Sequence, residues 1–211
     1  MKFGKRNAAT GGDGHGSLVS GAVLALVVIW LFICLLVGWY WSSEPDLEPV
    51  AGAPQPEMVN GEYTARTLRA VVQTLLEKPG GYLSNDIMPP GLWLDNMPRW
   101  EYGVLVQVRD MTRALRRDMA RSQSQSTEDR DLAKAEPRLH FDNNSWAMPA
   151  SESEYRDGIR SLDSYIERLQ RGEADFYSRA DNLSSWVGDV STRLGSMSQR
   201  LSASVGRAPL T

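Results

Sequence analysis

The side chains able to do acid–base, nucleophilic or metal chemistry are few in kind. The 211-residue chain carries two histidines and one cysteine beside 26 carboxylates. His140 has Glu136 and Asp142 near it in sequence, a grouping that could hold a metal or relay a proton. A single loop histidine is more often structural, and no second ligand falls at metal-site spacing. Among the carboxylates, Asp86, Asp95 and Glu101 lie in an apolar setting, but nothing in their spacing pairs them as general acid and base. The motifs GxSxG and HExxH, a Walker loop and the Rossmann glycines are all missing from the sequence. One cysteine forbids an intrachain disulfide. The expectation is therefore a non-enzyme with no catalytic residue, no metal and no cofactor.

Composition narrows the class further. With 42% hydrophobic and 23% charged residues, the chain is too apolar for a wholly disordered protein. A formal net charge of −3 lacks the basic field of a nucleic-acid binder, so no nucleic-acid partner is expected.

The apolar residues are concentrated at one place. Leu18 to Trp41 reads LVSGAVLALVVIWLFICLLVGWYW, without a charge. At ~1.5 Å per residue such a run exceeds the ~30 Å hydrocarbon core, and in lipid it must be helical to satisfy its own amides. Trp39, Tyr40 and Trp41 sit where interfacial aromatics belong. Bulky aromatics, rather than a small-x-small site, follow the run, which favours an uncleaved anchor over a signal peptide. Lys2, Lys5 and Arg6 precede it, Glu44, Asp46 and Glu48 follow it, and no Lys or Arg recurs before Arg66. The positive-inside rule then predicts a cytoplasmic tail (1–17), a transmembrane helix (18–41) and everything later outside. Cys34, inside the span, reads as a small apolar residue facing lipid or a partner helix; Gly21 and Ala25 have the small-xxx-small spacing of helix dimers.

Residues 42–61, with Pro45, Pro49, Pro54 and Pro56, read as an extended linker holding the next domain (62–211) off the bilayer. Leu68, Val71, Val72, Leu75 and Leu76 form one helical stripe over 63–77, stopped by Pro79-Gly80-Gly81. Gly80 to Trp100 is a long non-periodic segment, yet rich in Tyr82, Leu83, Ile87, Met88, Leu92, Trp93 and Trp100. It suits either a structured loop over the core or an aromatic docking surface. A helix is predicted over 100–121, with alternating Val104, Val106 and Val108 leaving a short strand as the alternative, and with Arg109, Arg113, Arg116 and Arg117 on a solvated face. Residues 122–151 are polar and read as a loop.

The C-terminal part is the most regular. Tyr155, Ile159, Leu162, Ile166 and Leu169 are spaced 4, 3, 4, 3; Phe176, Ala180, Leu183, Val187, Val190, Leu194, Met197 and Leu201 continue that rhythm. This is a heptad seam, with Ser184, Ser191 and Ser198 at the flanking e positions. Gly172 suggests an αα-hairpin; the unbroken phase across it leaves one continuous rod as the alternative. The seam can bury against the preceding helices or against another chain.

The runs KPGGYLSNDIMPPGLWLDNMPRWEYGVLVQVRDM (78–111), RSQSQSTEDRDLAKAEPRLHFD (121–142) and RADNLSSWVGDVSTRLGSMSQRLSASVG (179–206) resemble a family of uncharacterised single-pass membrane proteins of Gram-negative bacteria, a domain of unknown function. The resemblance implies an inner-membrane protein with a mostly helical periplasmic domain, and no activity or site residue to transfer. Similar proteins extend past the position of Thr211. The expected fold is thus all-α: one N-terminal transmembrane helix, then a periplasmic helical bundle with long loops and a heptad-patterned C-terminal helix.

The expected function is a membrane-anchored interaction or scaffold protein of the cell envelope, self-associating or binding an envelope partner, with the lipid bilayer as its other contact. Tyr82, Trp93, Trp100, Leu183, Val187, Val190 and Leu194 are the candidate partner-binding residues. The alternatives are an accessory subunit of a transport or secretion complex, or a periplasmic enzyme acting on cell-wall material through Asp86, Asp95 and Glu101.

Overall fold

The computed structural model describes residues 14–45, 54–121 and 127–205, without the side chains of 14–19 and 205. The basic residues Lys2, Lys5 and Arg6, most of the expected cytoplasmic tail, the middle of the linker and the serine-rich residues 122–126 lie outside the described residues. Six helices and no strand occur among the described residues: α1 (Gly14–Trp41), α2 (Glu62–Glu77), α3 (Asn96–Ala114), α4 (Leu132–Leu139), α5 (Ser151–Gln170) and α6 (Ala180–Val205). The chain is all-helical with one apolar N-terminal helix of spanning length, whose segment Ser20–Trp41 has a mean hydropathy of 2.9.

Helices α2 to α5 close one core. The predicted stripe of α2 buries Leu68, Val72, Leu75 and Leu76. Its start is held by Glu62, whose carboxylate accepts the Val59 amide three residues back in the turn that leads into the helix. The same carboxylate accepts from Gln170 and pairs with Arg66, joining the start of α2 to the end of α5. α2 stops where Lys78 turns extended before Pro79, and Gly80 and Gly81 take positive φ. α3 is helical through Val104–Val108, so the strand alternative fails. It begins four residues before Trp100, and over Leu115–Met119 it widens into one π-turn closed by Ala120 N–H to the Leu115 carbonyl. That turn buries both Leu115 and Met119.

Two expectations are overturned here. The polar 122–151 stretch is not all loop: it contains α4, which buries Leu132, Ala135 and Leu139 against α5. Gly158 of α5 permits that approach, because a Cβ there would lie 2.8 Å from the Leu139 side chain. Nor is the arginine face of α3 simply solvated. Arg109 donates to the Leu139 and Phe141 carbonyls, Arg116 pairs with Glu128 and Glu136, and Arg113 reaches Glu136 and His140. His140 is thus part of the α3–α4 contact, its Nδ1 on the Glu136 carbonyl.

A buried clamp fastens the segment before α4. Arg168 of α5 meets Asp129 at 2.6 Å and Asp131 at 2.7 Å, and Asp129 accepts the amides of Asp131 and Leu132 at the helix start. Burial alone would raise the Asp131 carboxyl; the Ser164 hydroxyl and the Arg168 pair outweigh it and hold the group below its ordinary value. Glu136 is likewise lowered, with Arg116 overcoming the burial. Such carboxylates stabilise the fold fully above their unfolded values and cease to do so as pH falls through their native ones. Arg168→Met is therefore expected to cost about 3 kcal/mol at pH 7, by leaving two buried carboxylates without the Arg168 cation. Because the Asp131 carboxyl is held below its ordinary value and loses its charge as pH falls through that native value, the penalty should shrink in acid. Denaturant melts of both proteins at pH 7 and at about pH 3.5 check this; a penalty that is constant with pH contradicts it.

Candidate functional site

α5 and α6 carry the same heptad rhythm to opposite ends. On α5, Tyr155, Ile159, Leu162, Ile166 and Leu169 are all buried inside the bundle. The chain then breaks at Gly172 (φ 70°) and runs non-helically through residues 173–179. This excludes the continuous rod, but α6 does not fold back along α5 as a hairpin would. Instead its approach is fastened to α2 and α3. Tyr177 N–H donates to the Met119 carbonyl at 2.6 Å, Asn60 donates to the Phe176 carbonyl and Ser178 hydroxyl, and Asn182 donates to the Asp118 carbonyl. The Phe176 ring packs so closely on Gly61 that a Cβ there would overlap it. Further along, Arg193 pairs with Asp110 of α3.

Beyond these ties, the seam of α6 faces outward. Leu183, Val187 and Leu194 are 57%, 52% and 61% exposed, Met197 and Leu201 are exposed with them, and Val190 is half-buried. At the foot of α6 a cleft of about 680 Å³ opens between α2, α3 and the first turns of α6, walled by Leu68, Val71, Met111, Phe176, Leu183 and Trp186. Trp186, placed outside the seam by its heptad position, fills the angle between α6 and α3; no periodicity signals it.

The 80–100 segment divides. Tyr82 and Leu83 are buried, and the Tyr82 ring meets Tyr155 edge-on at 5.6 Å while its hydroxyl donates to the Asn143 carbonyl. Burial, then the neighbouring Tyr155, push the Tyr82 phenol well above its ordinary value. Trp100 is half-buried against the core. Trp93 is 52% exposed, among exposed Ile87, Met88 and Leu92.

What roots this segment is a fully buried ion pair. Lys78 Nζ lies 2.5 Å from Glu101 Oε1, and neither side chain is solvent-accessible. Lys78 also donates to the Gly81 carbonyl, and the two carboxylate oxygens of Glu101 accept the Leu83 and Ser84 amides at 2.8 and 2.7 Å. Both oxygens of this carboxylate are taken up, by the Lys78 ammonium, the Ser84 hydroxyl and two backbone amides, an arrangement that fixes a chain reversal. Asp86 sits beside it, raised first by burial and then by Glu101 and Glu152, with Lys78 opposing. Its carboxylate occupies the space that a side chain at Gly91 would need. Asp95 is exposed and pairs with Arg99. Asp86 and Glu101 are thus neighbours, while Asp95 is taken up with Arg99 at the surface.

The profile of a family described as "Uncharacterized protein conserved in bacteria (DUF2333)" matches residues 15–211. No curated protein and no solved structure matches the chain.

Proposed function

We propose, from the premise that the chain belongs to this bacterial family, that it is a single-pass inner-membrane protein whose periplasmic helical domain is an interaction scaffold of the cell envelope, self-associating through α6. The observation that carries this reading is the outward seam on α6, an apolar stripe left open by a bundle that otherwise buries its heptad positions. The proposed occupant is a second copy. Two chains anchored with one orientation present α6 in parallel, the arrangement that brings like heptad positions into register. Ala180, Val187, Leu194 and Leu201 then form the a layers and Leu183, Val190 and Met197 the d layers, with small serines at e allowing close approach. The inner-membrane placement is supported by the Ser20–Trp41 span and by the basic residues on one side of it.

The test is disulfide crosslinking in native membranes. In a Cys34→Ser background, Leu194→Cys is expected to give a crosslinked dimer and Gln199→Cys, on the far face of the same helix, is not. A Leu194→Cys product of heterologous mass only would replace self-association with the accessory-subunit reading, whose partner segment the cleft at the foot of α6 would accommodate. No product at all would sink the scaffold reading.

A further inference from the structure

The exposed part of the 80–100 segment lies against α1. The face of α1 carrying Trp30, Cys34, Gly38 and Trp41 is the one the rest of the chain meets. Gly80 packs on the Trp41 ring, Pro90 and Leu94 approach Gly38, and the Trp93 ring meets Trp30 edge-on with centroids 6.2 Å apart. Cys34 is buried on this face, so it points neither to lipid nor to another membrane helix. At the top, Asn96 donates to Ser42 Oγ at 2.7 Å. The chain from Gly80 to Asn96 therefore returns to the apolar helix and runs alongside it.

Trp30 is eleven residues before Trp41, about 16 Å of helical rise, roughly half a hydrocarbon core. If the bilayer ended at Trp30, only Leu18–Ile29 would remain to cross it, about 18 Å of helix against the ~30 Å required. The span needs the Leu31–Trp41 stretch inside the lipid, and whatever packs on that stretch goes in with it.

The composition of the packed segment fits that environment. Residues 87–94, IMPPGLWL, contain no charged or hydrogen-bonding side chain other than the Trp93 indole. Ile87, Met88, Leu92 and Trp93 turn outward, Met88 being 71% exposed. Asp86 and Asp95 bracket the run, with Asn96 and Arg99 following. Irregular backbone is tolerated in lipid only when its polar groups are met internally. Here Pro89 and Pro90 have no N–H, and the amides of Leu92, Trp93 and Leu94 donate to the carbonyls of Met88, Pro90 and Gly91.

We infer that residues 87–94 form a second membrane-inserted element, a re-entrant loop that enters the leaflet nearest the helical domain and packs along the outer half of α1. The occupant of its exposed apolar face is lipid hydrocarbon. The inference rests on the reading of α1 as a span. Its root is the Lys78–Glu101 latch, which keeps the segment pointing along α1 instead of folding over the bundle core.

Depth-dependent quenching separates the two claims. The full chain with Cys34→Ser is reconstituted in phosphatidylethanolamine–phosphatidylglycerol vesicles, with an environment-sensitive fluorophore on Met88→Cys, Leu92→Cys, Leu35→Cys or Glu167→Cys. Leu35 lies on the exposed side of α1, and Glu167 is an exposed position on α5. Probes at 88, 92 and 35 are expected to emit at short wavelength and to be quenched severalfold more by nitroxide-labelled acyl chains than by iodide, with the Glu167 probe showing the reverse. Lipid quenching at 35 with iodide quenching at both 88 and 92 overturns the loop and leaves the span standing. Iodide quenching at all positions overturns both.

Discussion

Glu101→Ala is expected to destabilise the helical domain by about 4–5 kcal/mol, the upper range for breaking a buried ion pair by removing one partner. Two losses combine. The Lys78 ammonium is left at a site without solvent, and the Leu83 and Ser84 amides lose the carboxylate that accepts them. Glu101→Gln keeps an acceptor for one amide while removing the counter-charge, so it should fall between alanine and wild type. Replacing both partners, Lys78→Met with Glu101→Met, removes the stranded charge and should recover part of the loss while the amides stay unpaired. Denaturant melts of the detergent-solubilised protein, followed by near-ultraviolet circular dichroism of the Tyr82–Tyr155 environment, rank the series. A loss below about 1 kcal/mol for the alanine variant would show that the latch is not what holds the reversal.

The second large effect concerns α6. Val187→Glu with Leu194→Glu places two carboxylates per chain in adjacent a layers of the proposed assembly. In a parallel arrangement each meets its own copy, so desolvation and like-charge repulsion act together. Association should weaken by a thousandfold or more, equivalent to about 4 kcal/mol. Because both positions are more than half exposed in the single chain, the bundle itself should melt as before. Light scattering of the nanodisc-embedded protein, set against its 23.5 kDa chain mass, reads the stoichiometry. An unchanged oligomer would place the contact elsewhere than on this seam.

Some of this architecture is legible in the sequence for clear reasons. α1 and α2 announce themselves because one has no charge over its apolar run and the other places its apolar residues on a single stripe with Pro-Gly-Gly behind it. The break at Gly172 is legible as well, though the non-helical residues after it are not, since the heptad phase continues as if nothing intervened. α4 is hidden: it is eight residues long, contains Pro137, and draws its support from Arg168, Arg113 and Arg116 on other helices. Once α4 is missed, the arginines of α3 have no visible partner and read as solvated. The 80–100 segment shows the limit of composition most directly. Tyr82 and Trp93 are both aromatic residues in one apolar stretch, yet one is sealed in the core and the other faces outward. The difference comes from Glu101 capturing the backbone between them, a contact between Leu83 and a residue eighteen positions on that no local pattern encodes. Of the proposed contact residues, Leu183, Val187 and Leu194 lie on the open seam with Val190 half-buried beside them, Trp93 lies on α1, and Tyr82 and Trp100 are turned toward the bundle.

The seating of Gly80 on Trp41 and of Asn96 on Ser42 has a mechanical corollary. A domain joined only by a proline-rich tether would wander independently of its anchor; this one also meets the end of α1 at these two points. A span tilts to match the thickness of its bilayer, and a braced domain must lean with it. At ~1.5 Å per residue, α6 is a lever about 39 Å long, so a lean of about ten degrees sweeps its tip through about 7 Å. On the proposed placement of α1 in the bilayer, that joint would turn lipid thickness into a displacement at the tip of α6.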